Sequence, residues 1–439
     1  MMKAVILAGG RGVRLGEISE RIPKPMVEIG GKPLLEHQVS LLERYGIKHV
    51  IFITGHLSSV IEEYFADGRK WGVKISYHQE EKPLGTTGGL KEIEHLLTED
   101  FIVFYGDVML DMNLAKLISF HRKKKSAATL VLHPNDHPYD SDLVEIDPDS
   151  RIVAFHPKPH DDKKYYRNLV NAGVYVLSPG ILDQVKKGVK ADFGKDLFPK
   201  IVINEPLYGY NTAEYLKDMG TPDRLKNVEE DYLTGKIRRL NCENPRPAVF
   251  LDRDGVINEE VGLLHKAEEF RLLPGVADAV KKINQSEYLA IVVTNQPVVA
   301  RNLCSIPQLE AIHNKMETLL GEQHAKLDAI YFCPHHPDKG YPEENKDYKM
   351  DCDCRKPGIG MIKKAEKEFN IDLSASFIIG DSSRDMLCGK KAGLTTIAVG
   401  CGYAGKDHAA KPDRACRDLP DAVENIIECT TEKKSNTPA

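Results

Sequence analysis

No run of apolar residues in this 439-residue chain approaches the ~20 that a membrane span requires. Neither sign of charge dominates: 60 Lys and Arg stand against 65 Asp and Glu, a net charge of −5. That balance gives no reason to expect a nucleic-acid partner. A basic cluster such as Arg122–Lys125 reads as the solvated face of a helix. The apolar stretch Ala4–Ala8 is too short for a secretory signal. The expected location is the cytoplasm, with no membrane partner, and there nine cysteines argue against a disulfide framework. No hexapeptide repeat is present, which speaks against a left-handed β-helix appendage. What remains, 41% hydrophobic and 28% charged residues, is ordinary for a globular protein, and the length favours two or three domains.

Lys3–Leu7 reads as a buried strand that runs into Gly9, Gly10 and Gly12. A strand followed by a glycine-rich turn cradles phosphate, because glycine lets backbone N–H groups approach an anion. The dinucleotide fingerprint fails: Leu15 stands where a third glycine belongs, and no acidic residue ends a second strand at the right distance. The Walker pattern fails too, since no Gly-Lys-Ser/Thr follows. Pro23 and Pro25 hold Lys24 in a rigid, extended segment. A fixed lysine beside a glycine loop carrying Arg11 and Arg14 points to a polyphosphate site. His49–Thr54 and Phe101–Asp107 read as strands, the latter delivering Asp107 at its end, and an amphipathic stretch spans Leu57–Phe65. This βαβα alternation implies a mostly parallel sheet with its site at the strand ends.

Six ordered motifs, Ala8–Leu15, Pro23–Pro25, Pro83–Gly88, Gly106–Asp107, Asn171–Val174 and Asp218–Pro222, resemble the sugar-1-phosphate nucleotidyltransferases, most closely the mannose-1-phosphate guanylyltransferase branch. The resemblance spans residues 3–225. It implies a Rossmann-like, glycosyltransferase-A-like domain in which a sugar phosphate attacks the α-phosphorus of an NTP and releases pyrophosphate. It further implies that Arg14 and Lys24 neutralise phosphates beside Gly9, Gly10 and Gly12, and that Asp107 and Asp218 carry Mg²⁺. Gln79, Gly85 and Thr86 would lie by the base, and Lys158 and Asn171 by the sugar phosphate. Two positions depart from the family: Val13 replaces a usual Ser or Thr, and Pro157 replaces a usual Glu.

Residues 237–247 are polar with two prolines and read as a linker between a domain of residues 1–236 and a second of 248–425, with 426–439 as a disordered tail. The second half restarts an α/β pattern. Val249–Leu251 ends in Asp252 and Asp254; a second strand ends at Thr294; a third ends at Asp381. Lys356 precedes a helix. Asp385, one helical turn beyond Asp381, reads either as a metal contact or as an ion-pair residue. Two aspartates, a hydroxyl and a lysine at several strand ends make a phosphatase constellation: Asp252 can attack phosphorus, Asp254 can protonate the leaving oxygen and Lys356 can screen charge.

Asp252–Asn258, Thr294–Gln296, Cys333–Pro337 and Cys352–Pro357 resemble the haloacid-dehalogenase-like phosphatases, in particular the heptose 1,7-bisphosphate 7-phosphatases and the related histidinol phosphatases. The resemblance implies an aspartyl-phosphate on Asp252, general acid/base catalysis by Asp254, and Mg²⁺ on Asp252, Asp381 and the main-chain carbonyl of Asp254. Thr294, Asn295 and Lys356 would hold the phosphate, with Arg355 near the substrate. Pro297–Val298 replaces the family's usual Ser-Gly. The 39 positions between Asp254 and Thr294 read as one helix plus connections, so a Rossmannoid domain without a cap is expected. Independently, Cys333, His335, Cys352 and Cys354 supply soft ligands that suit tetrahedral Zn²⁺, with His336 as a competing ligand.

Together the resemblances imply a bifunctional enzyme of consecutive steps. A heptose 1,7-bisphosphate would lose its C7 phosphate, and the heptose 1-phosphate would be joined to a nucleotide, GTP favoured. The rival keeps the transferase but gives the phosphatase histidinol phosphate or another monoester. Mg²⁺ would serve both domains and Zn²⁺ the second, with homo-oligomer formation left open.

Overall fold

The computed structural model describes residues 2–10, 22–338, 343–400 and 410–435. They form two compact units: Met1–His133, Ser141–Lys158 and Leu169–Asn241 make the first, and Pro134–Asp140, Pro159–Asn168 and Cys242–Ala439 the second. Two short segments of the first half therefore group with the second unit. Among the described residues, no helix is long and apolar enough to cross a membrane.

The first unit is built on a nine-stranded sheet. Its parallel part runs Lys74–Gln79, His49–Thr54, Lys3–Leu7 and Phe101–Tyr105. The last three are nearly continuous apolar runs because both faces are covered, whereas the edge strand Lys74–Gln79 is mostly polar and only partly buried. Val5, Ile51, Ile53 and Val103 enter one core; Ala4, Ile6, Phe52 and Phe104 enter the other, the two-residue alternation of a strand. Helices Leu34–Arg44 and Ser58–Phe65 cover that second face with Leu35, Val39, Leu42, Ile61 and Phe65. Leu7 pairs with Tyr105, so these two strands end level. The chain turns to opposite sides of Lys3–Leu7, and a crevice opens beyond its carboxyl end.

The expectation of a mostly parallel sheet holds for those four strands and for Leu207–Asn211 beside Ala128–His133, and needs correction elsewhere. Val170–Leu177 runs antiparallel to Phe101–Tyr105 and to Ala128–His133, and Ile152–His156 is antiparallel to Leu143–Ile146. Apolar alternation sets which face a side chain takes and carries no information on strand direction.

The second unit has a six-stranded, all-parallel sheet in the order Ala329–Cys333, Leu289–Asn295, Ala248–Leu251, Phe377–Gly380, Thr395–Val399, Arg414–Cys416. Counted along the chain this is 3-2-1-4-5-6, the doubly wound order, whose switch point lies between Ala248–Leu251 and Phe377–Gly380. Val249 and Leu251 share a core with Val280 and Ile283 of helix Val276–Gln285. Met386 of helix Ser383–Ala392 packs on Ala398, whose neighbours Ile397 and Val399 belong to the opposite core. Between Asp254 and Thr294 the chain forms the Ala267–Glu269 turn and helix Val276–Gln285, and no cap domain.

The 237–247 stretch is more tied down than a free linker. Asn241 Nδ2 donates to Asp111 at 2.7 Å in the first unit. In the second, Arg246 is buried, its N donates to the Asn370 carbonyl at 3.0 Å, and its carbonyl accepts from Asp372 N at 2.9 Å. The expected tail of 426–439 is corrected as well: helix Leu419–Ser435 runs through most of it. Ala422, Val423 and Ile426 form an apolar stripe at helical spacing that is buried in the core, and the helix continues from it.

Candidate active sites

In the first unit, Pro23 is extended (φ −58°, ψ 138°) and leads into a single turn, Lys24–Met26. Lys24 is buried and pairs with Asp107 Oδ2. Asp107 follows Gly106, whose N donates to the Leu7 carbonyl at 3.0 Å, which sets the aspartate at the crevice. Strand Val108–Asp111 pairs antiparallel with Tyr215–Asp218, placing Asp218 opposite Val108, and Met219 N donates to the Asp107 carbonyl at 3.0 Å. The two aspartates expected to act together are thus brought to one place. Burial alone would raise the Asp218 pKa; the Arg224 guanidinium, bound to both carboxylate oxygens at 2.9 and 2.8 Å, outweighs it and holds the group below its ordinary value. Arg224 went unread in the sequence, although it sits in the first turn of helix Pro222–Leu233, directly after the Asp218–Pro222 motif. Asp107 and Asp218 are hard oxygen donors of the kind Mg²⁺ takes.

Gly85 has φ +76°, and a Cβ there would lie 2.3 Å from the Ala191 carbonyl oxygen. Thr86 Oγ1 donates to Asp192 Oδ2 at 2.9 Å and accepts from Phe193 N at 2.8 Å. The Thr86 hydroxyl, expected by the base, therefore fastens the 191–193 segment. Gln79 ends the outermost parallel strand. Beside it Glu80, another residue the sequence reading missed, reaches to within 3.0 Å of where a Cβ on Gly9 would lie. Gly10 has open space around its Cβ direction. Asn171 Nδ2 donates to the Tyr175 hydroxyl at 3.0 Å, and its Oδ1 accepts from Gly173 N at 3.2 Å. Lys158 is exposed, and its N donates to Asp142 Oδ1 at 3.2 Å. The Cβ direction of Gly194 points to Asn171 Nδ2 (3.8 Å) and Asp142 Oδ2 (3.9 Å), so the two expected sugar-phosphate residues share one neighbourhood. Gly12 and Arg14, with Arg11 and Val13, lie outside the described residues.

The second site stands at the switch point of the second sheet. Asp252 N donates to the Ile379 carbonyl at 2.9 Å. Its carboxylate pairs with Lys356 Nζ at 2.9 Å, and Lys356 also pairs with Asp385 Oδ1 at 2.5 Å. Burial pushes the Asp252 carboxyl up to about 7; the Lys356 ammonium opposes this and the Asp385 carboxylate adds to it. Burial, then Asp385, pushes Asp381 up to about 6. Burial disfavours the Lys356 charge, but Asp252 and Asp385 more than offset it and raise its pKa. Carboxylate oxygens of Asp252, Asp381 and Asp385 lie within 4.8 Å of one another. Three carboxylates facing one ammonium leave negative charge in a buried place, which a divalent cation relieves.

The partners of Asp385 bear on its two readings. Its Oδ2 accepts from Ser382 Oγ at 2.5 Å and Ser382 N at 3.2 Å, capping its own helix, while Oδ1 holds Lys356. Asp385 thus combines an ion pair and a helix cap with a place in the carboxylate group it shares with Asp252 and Asp381. The Asp254 carboxylate is held by Arg253, Asn258 and Gln296. Thr294 is buried, and its Oγ1 accepts from Gln296 Nε2 at 2.9 Å. Asn295 departs from the expectation that it holds phosphate: its Nδ2 donates to the Lys356 carbonyl at 3.0 Å and its Oδ1 accepts from Lys356 N at 2.9 Å. Both side-chain polar atoms fix the lysine. Gly255 has φ +76°, and its Cβ direction meets Asp381 Oδ2 at 2.2 Å. Gly255→Ala is therefore expected to displace Asp381 and strain the turn, lowering phosphatase kcat by about 10²-fold or more, as a 1 Å misplacement does. Titration of activity with Mg²⁺ should show a weakened requirement curve. Unchanged kinetics would contradict the packing described.

Beside this site, Cys333, Cys352, Cys354 and His335 Nδ1 converge. The sulfurs are 3.5, 3.4 and 3.2 Å apart, and the imidazole nitrogen is 3.7 Å from Cys333 and 3.4 Å from Cys354. A tetrahedron with Zn–S bonds of about 2.3 Å has edges near 3.7 Å, so the donor set fits Zn²⁺. His336 is not the fourth ligand: its Nδ1 accepts from Asp338 N at 3.1 Å and its Nε2 faces Asp338 at 3.6 Å. Arg355 Nη1 donates to the His335 carbonyl at 3.1 Å. The cluster thus anchors the segment that carries Arg355 and Lys356. Cys352→Ser should lower bound zinc to well under one equivalent and loosen 334–338 and 343–353, read by metal analysis and hydrogen exchange, because a structural zinc contributes folding energy directly. Wild-type protein free of zinc would contradict this.

A glycine-loop site with a buried lysine and two aspartates, and a switch-point site with an aspartate, lysine and aspartate, define a two-domain enzyme of phosphoryl chemistry. Residues 3–235 match the nucleotidyl transferase family, to which the chain belongs, and residues 353–422 match the HAD-hydrolase-like family. The chain is similar to a mannose-1-phosphate guanylyltransferase of Mycobacterium tuberculosis, 36% identical over 56% of this chain and 67% of that one. It is similar to a UTP–glucose-1-phosphate uridylyltransferase of a Synechocystis species, 34% identical over 57% of this chain and 68% of that one. Its second half is similar to a D-glycero-D-manno-heptose-1,7-bisphosphate 7-phosphatase of Thermosynechococcus vestitus, 40% identical over 42% of this chain and 97% of that one. The chain is a nucleotidyltransferase joined to a HAD-like phosphatase.

Proposed function

We propose that the chain performs two consecutive reactions in the cytoplasm: removal of the C7 phosphate from D-glycero-D-manno-heptose 1,7-bisphosphate, then transfer of a nucleotidyl group, from GTP by preference, to the heptose 1-phosphate. The observation that carries the reading is the match of the second half to nearly the whole length of a heptose bisphosphate phosphatase, on a chain that also holds a nucleotidyltransferase. The functional domains are taken as residues 1–236 and, with the last helix included, 248–435.

In the phosphatase, Asp252 attacks phosphorus, the P–O bond to the sugar breaks, and the leaving oxygen takes a proton from Asp254. Water then attacks the aspartyl-phosphate, Asp254 accepts its proton, and phosphate departs. Lys356, fixed by Asn295 and Asp385, screens the charge on the phosphoryl oxygens. Asp252, Asp381 and the Asp254 carbonyl would hold Mg²⁺, which supplies further charge neutralisation. Thr294 offers a hydroxyl to the phosphate and Arg355 a charge to the rest of the substrate. In the transferase, no covalent intermediate is needed. A C1 phosphate oxygen attacks the α-phosphorus of the NTP and pyrophosphate leaves, with Lys24 and Arg14 offsetting the triphosphate charge; Asp107 and Asp218 would hold Mg²⁺, which supplies further charge neutralisation. Both a guanylyl and a uridylyl relative are similar here, so the base must be tested. Assays with GTP, UTP, ATP and CTP on both anomers of heptose 1-phosphate, and of phosphatase activity on the bisphosphate against histidinol phosphate, test this. GTP and the bisphosphate should lead by kcat/KM; equal or better turnover of UTP or of histidinol phosphate would overturn the corresponding half.

A further inference from the structure

Arg253 lies between the two aspartates of the phosphatase motif, and it is the bulkiest fully buried side chain among the described residues. A guanidinium removed from water needs partners for its donors. Nε donates to Asp254 Oδ1 at 3.2 Å, and Nη2 donates to Oδ1 and Oδ2, both at 2.9 Å. Nη2 also reaches Gln296 Oε1 at 2.9 Å, and Nη1 reaches His313 Nε2 at 3.2 Å. Arginine has no acceptor, so His313 must offer a lone pair at Nε2 and carry its proton on Nδ1. Burial, then the Arg253 charge, pushes the His313 pKa well below its ordinary value, in keeping with a neutral ring.

The same carboxylate is held from other segments. Gln296 Nε2 donates to Asp254 Oδ2 at 2.7 Å and to Thr294 Oγ1 at 2.9 Å, and Asn258 Nδ2 donates to Asp254 Oδ1 at 3.0 Å. Arg253 is thus backed by His313 from helix Ile306–Gly321 and by Gln296 from beyond the Leu289–Asn295 strand. Taking up the proton it later donates costs Asp254 one of these contacts; the others keep it aimed.

We propose that Arg253, Gln296 and His313 form a buried brace that positions Asp254 for proton transfer to the leaving oxygen of the substrate. This rests on the reading of Asp254 as the general acid. The brace residues touch neither substrate nor metal; they are positioning residues. The step they serve is balanced: Asp252 Oδ forms a bond to phosphorus, the bond from phosphorus to the alkyl oxygen breaks, and that oxygen takes the proton from the Asp254 carboxyl.

The test is the dependence of kcat/KM on the leaving group, since that constant ends at release of the alcohol. A primary alkyl phosphate needs the acid; p-nitrophenyl phosphate expels a stable phenolate without it. General acid catalysis is worth roughly 10²–10⁴-fold. Gln296→Leu and His313→Leu in the full chain should lower kcat/KM for the alkyl phosphate about 10-fold or more and for the aryl phosphate less than about 3-fold. His313→Gln, which keeps an acceptor for Arg253, should restore most of the alkyl activity. Equal losses on both substrates, or no loss, would overturn the brace. Asp254→Asn separates the two ideas. If it shows strong leaving-group selectivity and the brace variants do not, the brace alone is wrong. If Asp254→Asn also lacks selectivity, the acid reading is wrong and the brace falls with it.

Discussion

Asp252→Asn should abolish phosphatase turnover, by about 10⁴-fold or more, and leave nucleotidyl transfer at wild-type rate. The size follows from what the residue does. It is the carboxylate at the switch point, held by the Ile379 carbonyl through its N–H and facing Lys356 at 2.9 Å. An amide there is nearly isosteric, so the fold should persist, but it offers phosphorus no anionic oxygen. The variant also removes one negative charge from a cluster of three carboxylates, so it should not unfold the unit. Phosphate release from the bisphosphate and pyrophosphate release from GTP with heptose 1-phosphate are measured on one preparation. Residual phosphatase within tenfold of wild type would remove Asp252 as nucleophile. Loss of both activities would show that the two sites are not separate.

Lys24→Ala should act on the other side, lowering nucleotidyl transfer by roughly 10³-fold with phosphatase unchanged. Lys24 is buried and paired with Asp107 where Gly106 docks on Leu7. Without the ammonium, Asp107 faces the polyphosphate without the buried cation it pairs with. Lys24→Arg should rescue poorly, because Lys24 is buried and a planar guanidinium is larger than the ammonium it would replace. Steady-state kinetics with saturating Mg²⁺ decide it: a change in KM for NTP alone, with kcat retained, would assign Lys24 to ground-state binding and contradict a role in stabilising the transition state.

What the sequence showed was mostly what sits at strand ends. Asp107, Asp252, Thr294 and Asp381 each follow a buried apolar run, and such runs can be read locally. The Cys/His set was legible because its ligands are rare residues in two tight pairs. What was not legible depended on partners far along the chain. Asn295 fixes the main chain of Lys356, 61 positions away, and Thr86 fastens Phe193, 107 positions away. A hydroxyl or amide in a motif looks the same whether it meets a ligand or a backbone. Arg253 was given no role because nothing local reveals that His313 and Gln296 close around it. Strand direction at Val170–Leu177 was hidden for a different reason, since the pattern of buried residues is unchanged when a strand is reversed. The last helix was missed because the polar composition after Thr430 drew attention from the stripe at Ala422, Val423 and Ile426.

The central claim is that one chain prepares a sugar 1-phosphate and then activates it. The order requires that C1 keep its phosphate, since that group is the nucleophile of the second step. An uncapped site admits a protruding primary phosphate more readily than one crowded against the ring, with Arg355 placed beside the Cys/His cluster to meet the remaining charge. Phosphorus NMR of the bisphosphate incubated with the enzyme and Mg²⁺, first without and then with GTP, follows every phosphate at once. The account predicts loss of the C7 resonance with the C1 resonance intact, followed on GTP addition by conversion of C1 phosphate to a diphosphate diester and release of pyrophosphate. Loss of the C1 resonance with C7 retained would contradict it.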